Sequence, residues 1–228
     1  MSRKVQVAID GPAGAGKSSV ARAVADALGY VYIDTGAMYR AVAYRALKAG
    51  LEVGTDDAAI GELAGALRFE FRDVAGEQPL FVDGEDVSEV IRTPEVGNLS
   101  SPVSAIPAVR ERLVAAQRAM ATAGGVLMEG RDIGTVVLPG AEVKVFLTAT
   151  PEERARRRQA QLQEKGTEQD LQTILSDIME RDERDSTRAV APLKRAEGAV
   201  EIVSDGMSKE QVVARICGIV RDAEEAQD

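Results

Sequence analysis

The sequence predicts an α/β fold built on a five-stranded parallel sheet flanked by helices. Three observations predict it: short apolar runs bounded by turn residues, helical periodicities that alternate with them, and a glycine-rich loop set between the first run and the first helix. VQVAID (5–10) is an apolar run ending in Gly-Pro, the pattern of a strand buried on both faces of a parallel sheet. A helix follows from Lys17 to Leu28, where Val20, Val24 and Leu28 recur every four residues and Gly29 supplies the stop. YVYIDT (30–35) reads as the second strand and Met38 to Lys48 as the second helix, closed by Gly50. VLMEG (126–130), EVKVFLTA (142–149) and AVEIVSD (199–205) complete the sheet. The helix ahead of VLMEG carries Pro107 in its first turn and Val109, Leu113, Ala116 and Met120 along one face. The last helix opens on a capping-box pattern, Ser208 with Gln211, ahead of Val212, Val213 and Ile216.

Two stretches break the alternation. Between 68 and 88, RFEFR and LFVDG alternate with period two around the turn residues AGEQP, which predicts a small antiparallel insertion. From Pro151 to about Arg188 the chain is strongly charged and helical, and Gly166 divides it into two helices, the composition of an exposed, movable hairpin.

Composition narrows the function. With 228 residues, 45% of them apolar, the chain suits one compact domain with modest insertions. It has no long uncharged apolar run, and MSRKVQVAID leads into a strand pattern rather than a leader, so a soluble, cytoplasmic protein with no membrane partner is expected. A single cysteine, Cys217, and the absence of histidine exclude an internal disulfide and make zinc chemistry unsuitable. The net charge of −9 argues against a nucleic-acid partner, yet arginines gather in 154–158 and 181–195, enough for a local phosphate site.

Residues 11–18 read GPAGAGKS, a full match to G-x-x-x-x-G-K-[ST] between a predicted strand and a predicted helix. Gly11, Pro12, Ala13, Gly14, Ala15, Gly16, Lys17, Ser18 and Ser19 are therefore the candidate phosphate-donor site. The glycines let backbone N–H groups turn toward phosphate oxygens, and the helix starting at Lys17 adds its positive end. Lys17 would reach the β- and γ-phosphates of ATP, and Ser18 would ligand the Mg²⁺ that bridges them, with Ser19 the alternative. A ligand-free glycine turn is the plain alternative. A complete match in this context is too rare for it.

Downstream, DTGAMYR (34–40), NLSS (98–101), EGRDIGT (129–135) and RDERDSTR (181–188) resemble, in order and spacing, the bacterial cytidylate kinase family of P-loop nucleoside-monophosphate kinases. The likeness runs from Val5 to the last helix. It implies the P-loop NMP-kinase fold, with a core of 1–35, 106–150 and 191–228, an enlarged NMP-binding domain at 36–105 and a lid at 151–190. It also implies transfer of the ATP γ-phosphate to CMP and dCMP by a monomer. By the same resemblance Arg40 and Arg131 hold the CMP phosphate, while Arg181 and Arg188 close over the transferred group. Lys17, Arg131, Arg181 and Arg188 are thus the candidate catalytic residues. Thr35, Arg110, Asp132 and Arg188 are implied for the pyrimidine, and Ser101, Arg181 and Asp185 for the pentose. A carboxylate at Asp132 suits cytosine, whose exocyclic amino group donates where uracil presents a carbonyl.

Some of these residues also have plainer readings. Arg154 and Arg156, among acidic neighbours, read as a solvated helix face and stay outside the site. Thr35 and Ser101 also suit helix caps, and Asp10 either faces Mg²⁺ through water or caps a turn. The competing functions are another small P-loop kinase, using UMP or a different acceptor, and a non-catalytic nucleotide-binding module. The first expects a DGFPR-type stretch where EGRDIGT stands, and the second expects erosion of arginines that are all present.

Overall fold

The structure is a computed structural model that describes residues 4–72, 74, 78–122, 124–164 and 166–227. Its contacts divide the chain into two compact units, Met1–Tyr32 with Ala123–Asp228, and Ile33–Thr122. In chain order, strand β1 (Gln6–Asp10) passes through the phosphate loop into helix α1 (Lys17–Leu28), which Gly29 ends in the left-handed conformation. Strand β2 (Val31–Asp34) leads straight into helix α2 (Thr35–Lys48). Helix α3 (Asp57–Ala66) precedes strands β3 (Phe69–Phe71), β4 (Leu80–Val82) and β5 (Glu85–Asp86). Helices α4 (Pro94–Ala105) and α5 (Pro107–Met120) each begin on a proline, whose missing N–H costs nothing there. Strand β6 (Val126–Gly130), a π-helical turn over Ile133–Val137, strand β7 (Val143–Thr148), helices α6 (Pro151–Glu164) and α7 (Leu171–Thr187), strand β8 (Val200–Val203) and helix α8 (Lys209–Glu225) follow.

The five strands of the larger sheet lie in the order β2-β6-β1-β7-β8, a parallel sheet with the loop-bearing strand at its centre. Val7 and Ile9 of β1, Leu127 of β6, Val143, Val145 and Leu147 of β7 and Ile202 of β8 turn one sheet face into a shared core. Val20, Ala21, Val24 and Ala25 of α1 and Val212, Ile216, Cys217 and Val220 of α8 cover that face. The capping box that starts α8 forms as expected, Ser208 and Gln211 bonding each other's backbone N–H. Helices α6 and α7 pack through a small cluster of Ala155, Ile174 and Ile178.

The second unit joins α2 to α5 with a three-stranded antiparallel sheet, β3-β4-β5, where the period-two stretch lies. Of the expected turn residues AGEQP, Ala75, Gly76 and Glu77 lie outside the described residues. Arg45 of α2 ties to this sheet through the Val82 carbonyl at 3.3 Å and Glu85 at 3.0 Å.

Three local readings change. Helix α2 begins at Thr35 rather than Met38, because the Asp34 carboxylate accepts the Ala37 N–H and starts the helix early. Neither Thr35 nor Ser101 is a helix cap: Thr35 sits in the first turn of α2, and Ser101 lies within α4. In α5 the buried face runs through Val109, Arg110, Leu113 and Gln117, while Ala116 and Met120 are only half-buried. Counting apolar residues misplaces that face because two of its four members are polar.

Candidate active site

Register sets the site. Asp10, the last residue of β1, lies opposite Gly130 of β6 and Phe146 of β7, so the loop after β1 and the Arg131-Asp132 pair after β6 leave the same carboxyl edge of the sheet. Asp10 itself is buried, and its two oxygens accept the N–H groups of Ile133 and Gly134, each at 2.7 Å. Burial pushes its pKa up to about 6 against the pull of those two hydrogen bonds. The carboxylate thus clamps the π-helical turn to β1 and holds the residues just before it.

Two glycines make the phosphate loop. A Cβ on Gly11 would stand 1.9 Å from the Leu147 carbonyl oxygen of β7, so only glycine lets the loop start this close to the sheet. Gly16 caps α1 in the left-handed conformation, φ 84°. The Lys17 side chain is buried and donates to the Pro12 carbonyl at 2.7 Å, closing the loop. Burial chiefly, and then the neighbouring Arg131 and Arg181 guanidinium groups, lower its pKa to about 7, against the opposing charges of Glu129 and Asp10. Ser18 and Ser19 are exposed at the start of α1, and the Ser19 hydroxyl donates back to the Gly16 carbonyl at 3.0 Å. Glu129 is buried and accepts the Tyr32 hydroxyl at 2.6 Å.

The arginines around this loop are held in place by carboxylates. Arg131 donates from Nε to Asp185 of α7 at 2.9 Å and from a terminal nitrogen to the Gly130 carbonyl at 3.4 Å. Asp132 is buried, and Arg188 pairs with it at 3.5 Å while its Nε bonds the Ala191 carbonyl. The backbone carbonyl of Asp185 accepts from Leu193, which fixes the chain leaving α7. The first unit therefore gathers Lys17, Arg131, Asp132, Arg181, Asp185 and Arg188 at one edge of the sheet, a cationic cluster with two carboxylates in it.

The remaining predicted residues belong to the second unit. Arg40 is paired with Asp34 at 2.9 Å, and its own Nε is buried without a hydrogen-bond partner. Thr35 is buried in the first turn of α2. Arg110 is buried on α5, its guanidinium 5.7 Å from the centre of the Tyr39 ring and 3.4 Å from the Ser104 carbonyl. The Ser101 carbonyl accepts the Ser104 hydroxyl at 2.8 Å.

With this geometry the family can be stated. The model of the cytidylate kinase family matches residues 7–222.

The chain belongs to the cytidylate kinase family.

A cytidylate kinase of Geobacillus thermodenitrificans is 50% identical over 222 residues, 97% of this chain and 99% of the relative. One of Pelotomaculum thermopropionicum is 53% identical over 211 residues, 92% and 93% of the two chains. Among solved structures, a gluconokinase of Sinorhizobium meliloti aligns with TM-score 0.51 over 99% of this chain and 97% of that one, at 15% identity. A protein of Eubacterium ventriosum aligns with TM-score 0.52 at 10% identity over 96% of this chain and 99% of that one. At such identity both likenesses speak for the fold alone.

Arg154 and Asp34 bear on the site although the sequence reading did not place them in it. Arg156 is the exposed helix-face charge expected of it, paired with Glu153 at 2.6 Å. Arg154 is instead 3% exposed, with all three guanidinium nitrogens engaged. Nothing in a run of four arginines over five positions distinguishes the buried one. Asp34 orients Arg40 and starts α2, and here a signal existed: an acidic residue directly before a helix pattern is an N-cap. No helix among the described residues is long and apolar enough to cross a membrane.

Proposed function

We propose that this cytidylate kinase transfers the γ-phosphoryl group of ATP to CMP and dCMP, with the residue roles that follow. The observation that carries the reading is the convergence of Lys17, Arg131 and Arg181, close enough that the two arginines lower the lysine pKa. Carboxylates hold these like charges in place, and the grouping supports the reading of a receptor for polyanions. The loop from Gly11 to Ser19 receives the donor phosphates, its N–H groups and the start of α1 supplying positive ends and Lys17 the point charge. Arg131, Arg181 and Arg188 neutralise the transferred group and the acceptor phosphate. Fixed guanidinium groups stabilise charge spread over equatorial oxygens more than charge in the ground state. A phosphate-monoester oxygen is already an anionic nucleophile, so these residues position and neutralise, and no side chain has to remove a proton.

Mg²⁺ belongs to this reading. The described residues hold no group of three His, Cys, Asp or Glu that could cage a metal ion. That fits a cation held mainly by phosphate and water oxygens with one or two protein ligands. Ser18 is the fitting ligand, because the Ser19 hydroxyl is turned to Gly16 and Asp10 is committed to two backbone N–H groups. When bound, the ion would draw charge from the bridging phosphate oxygens.

For the acceptor, Asp132 accepts the cytosine amino group and Arg188 steadies the carboxylate. Asp185 and Arg181 meet the pentose. By the family resemblance, Arg40 is proposed for the acceptor phosphate, Thr35 and Arg110 for the pyrimidine, and Ser101 for the pentose. The same resemblance makes 36–105 the acceptor-binding segment and 151–190 the lid, whose opening releases product. A cytoplasmic setting completes the reading.

A coupled ADP-release assay against CMP, dCMP, UMP, AMP and GMP tests it. Turnover is expected with CMP and dCMP and weakly with UMP; preference for another acceptor overturns the pyrimidine pocket, and no turnover overturns the kinase. Asp132→Asn is expected to lower kcat/KM for CMP by a factor on the order of 10–100, leaving KM for ATP within about twofold. Equal loss for both nucleotides would remove Asp132 from the acceptor pocket.

A further inference from the structure

Among the described residues, Arg154 is a buried arginine outside the proposed site. Its Nε donates to the Ala149 carbonyl at 3.0 Å, where β7 ends, and one terminal nitrogen donates to the Ala13 carbonyl of the phosphate loop at 3.0 Å. The other terminal nitrogen pairs with Asp182 of α7 at 2.6 Å. Gly14 leaves room for this side chain, since a Cβ there would stand 3.3 Å from the Arg154 Cβ. Asp182 has its second oxygen, Oδ1, buried without a hydrogen-bond partner, so the Arg154 contact is what compensates the carboxylate. One turn further along α7, Asp185 holds Arg131, and the residue next to Asp182 is Arg181. Asp182 and Asp185, three residues apart, present their carboxylates from neighbouring positions on α7.

We propose that Arg154 is a positioning residue that couples the phosphate loop to α7, so that donor and acceptor nucleotides strengthen each other's binding. The proposal rests on the kinase reading above, in which loop 11–19 takes ATP and Arg181 and Asp185 meet the acceptor. A planar guanidinium with all three nitrogens committed holds its partners in a fixed relation; a lysine, with a flexible stem and a point charge, does not. Donor phosphates settling into the loop fix the Ala13 carbonyl, and through Arg154 they favour the placement of Asp182 that presents Arg181 and Asp185. Coupling of this kind is reciprocal, so CMP must tighten the donor by the same factor.

The test is calorimetric titration of CMP into the intact protein, with and without Mg²⁺ and the non-hydrolysable donor adenylyl-imidodiphosphate. The wild type is expected to bind CMP tighter by about fivefold or more with the donor analogue present. In Arg154→Lys and Asp182→Asn, CMP affinity alone is expected to stay within about twofold while that enhancement falls toward one, and the double variant is expected to be no worse than the weaker single variant. Asp182→Asn keeps shape at a partly exposed position, so it decides the matter even if loss of the buried arginine harms folding. Enhancement retained in Asp182→Asn, or already missing in the wild type, overturns the coupling while leaving the kinase reading intact. Failure of the wild type to bind CMP at all overturns both.

Discussion

Lys17 donates to a carbonyl of its own loop, and burial with two arginines nearby brings its pKa to about 7. Phosphate oxygens placed against its ammonium favour the protonated form and raise that value. Below pH 7 the lysine is charged with or without ATP, and binding moves no proton. Above it the free lysine is increasingly neutral, so binding takes up a proton and ATP affinity falls as pH rises. Calorimetry in buffers of different ionisation enthalpy should detect uptake at about pH 8 and little at about pH 6, and Lys17→Arg, charged throughout, should abolish the difference. Identical uptake at both pH values would mean that the shift is not there. At this scale the sequence was most legible where chemistry is local. The loop motif named Lys17 and left Ser18 with Ser19 as its alternative, whereas Asp10 stayed ambiguous because its surroundings include two amides far along the chain, Ile133 and Gly134.

Among the elements, α2 shows how a helix start can serve a site. Asp34 accepts the Ala37 N–H at 2.8 Å and pairs with Arg40 at 2.9 Å, so one carboxylate both begins the helix and orients the arginine proposed for the acceptor phosphate. The two roles separate by substitution. Asp34→Asn keeps a capping oxygen and loses the ion pair, so KM for CMP is expected to rise severalfold with stability changed by only a few tenths of a kcal/mol. Asp34→Ala loses the cap as well and is expected to cost about 1 kcal/mol in urea melts. Equal stability loss in both variants would make the ion pair, not the cap, the larger effect. Elements with an unbroken period were readable: β1, α1, β6, β7 and α8 fall close to their expected places. The buried face of α5 was not, because Arg110 and Gln117 sit in it, and helices α3 and α4 carry no apolar period strong enough to announce them.

At the scale of the whole molecule, a net charge of −9 coexists with a cationic cluster at one edge of the sheet. The excess negative charge is spread elsewhere and keeps copies apart, while the cluster is concentrated where polyanions are proposed to meet. The large exposed apolar side chains among the described residues, such as Leu47, Val90, Met179 and Val203, come from separate elements. We propose a monomer, as the family resemblance implies. Sedimentation equilibrium across a wide concentration range is expected to return the mass of one chain, and a mass that grows with concentration would contradict it.

The sequence by itself determined the parallel α/β sheet, the glycine-rich loop after its first strand, the antiparallel insertion and the family, since each rests on short-range periodicity or on motifs in fixed order. Only the tertiary structure decided which charges are buried and what they hold. Arg154 and Arg156 are two residues apart in one helix, yet one is enclosed between Ala13 and Asp182 and the other lies in solvent. The reason is physical: the worth of a charged side chain depends on the dielectric and the partners around it, and those are supplied by segments distant in sequence.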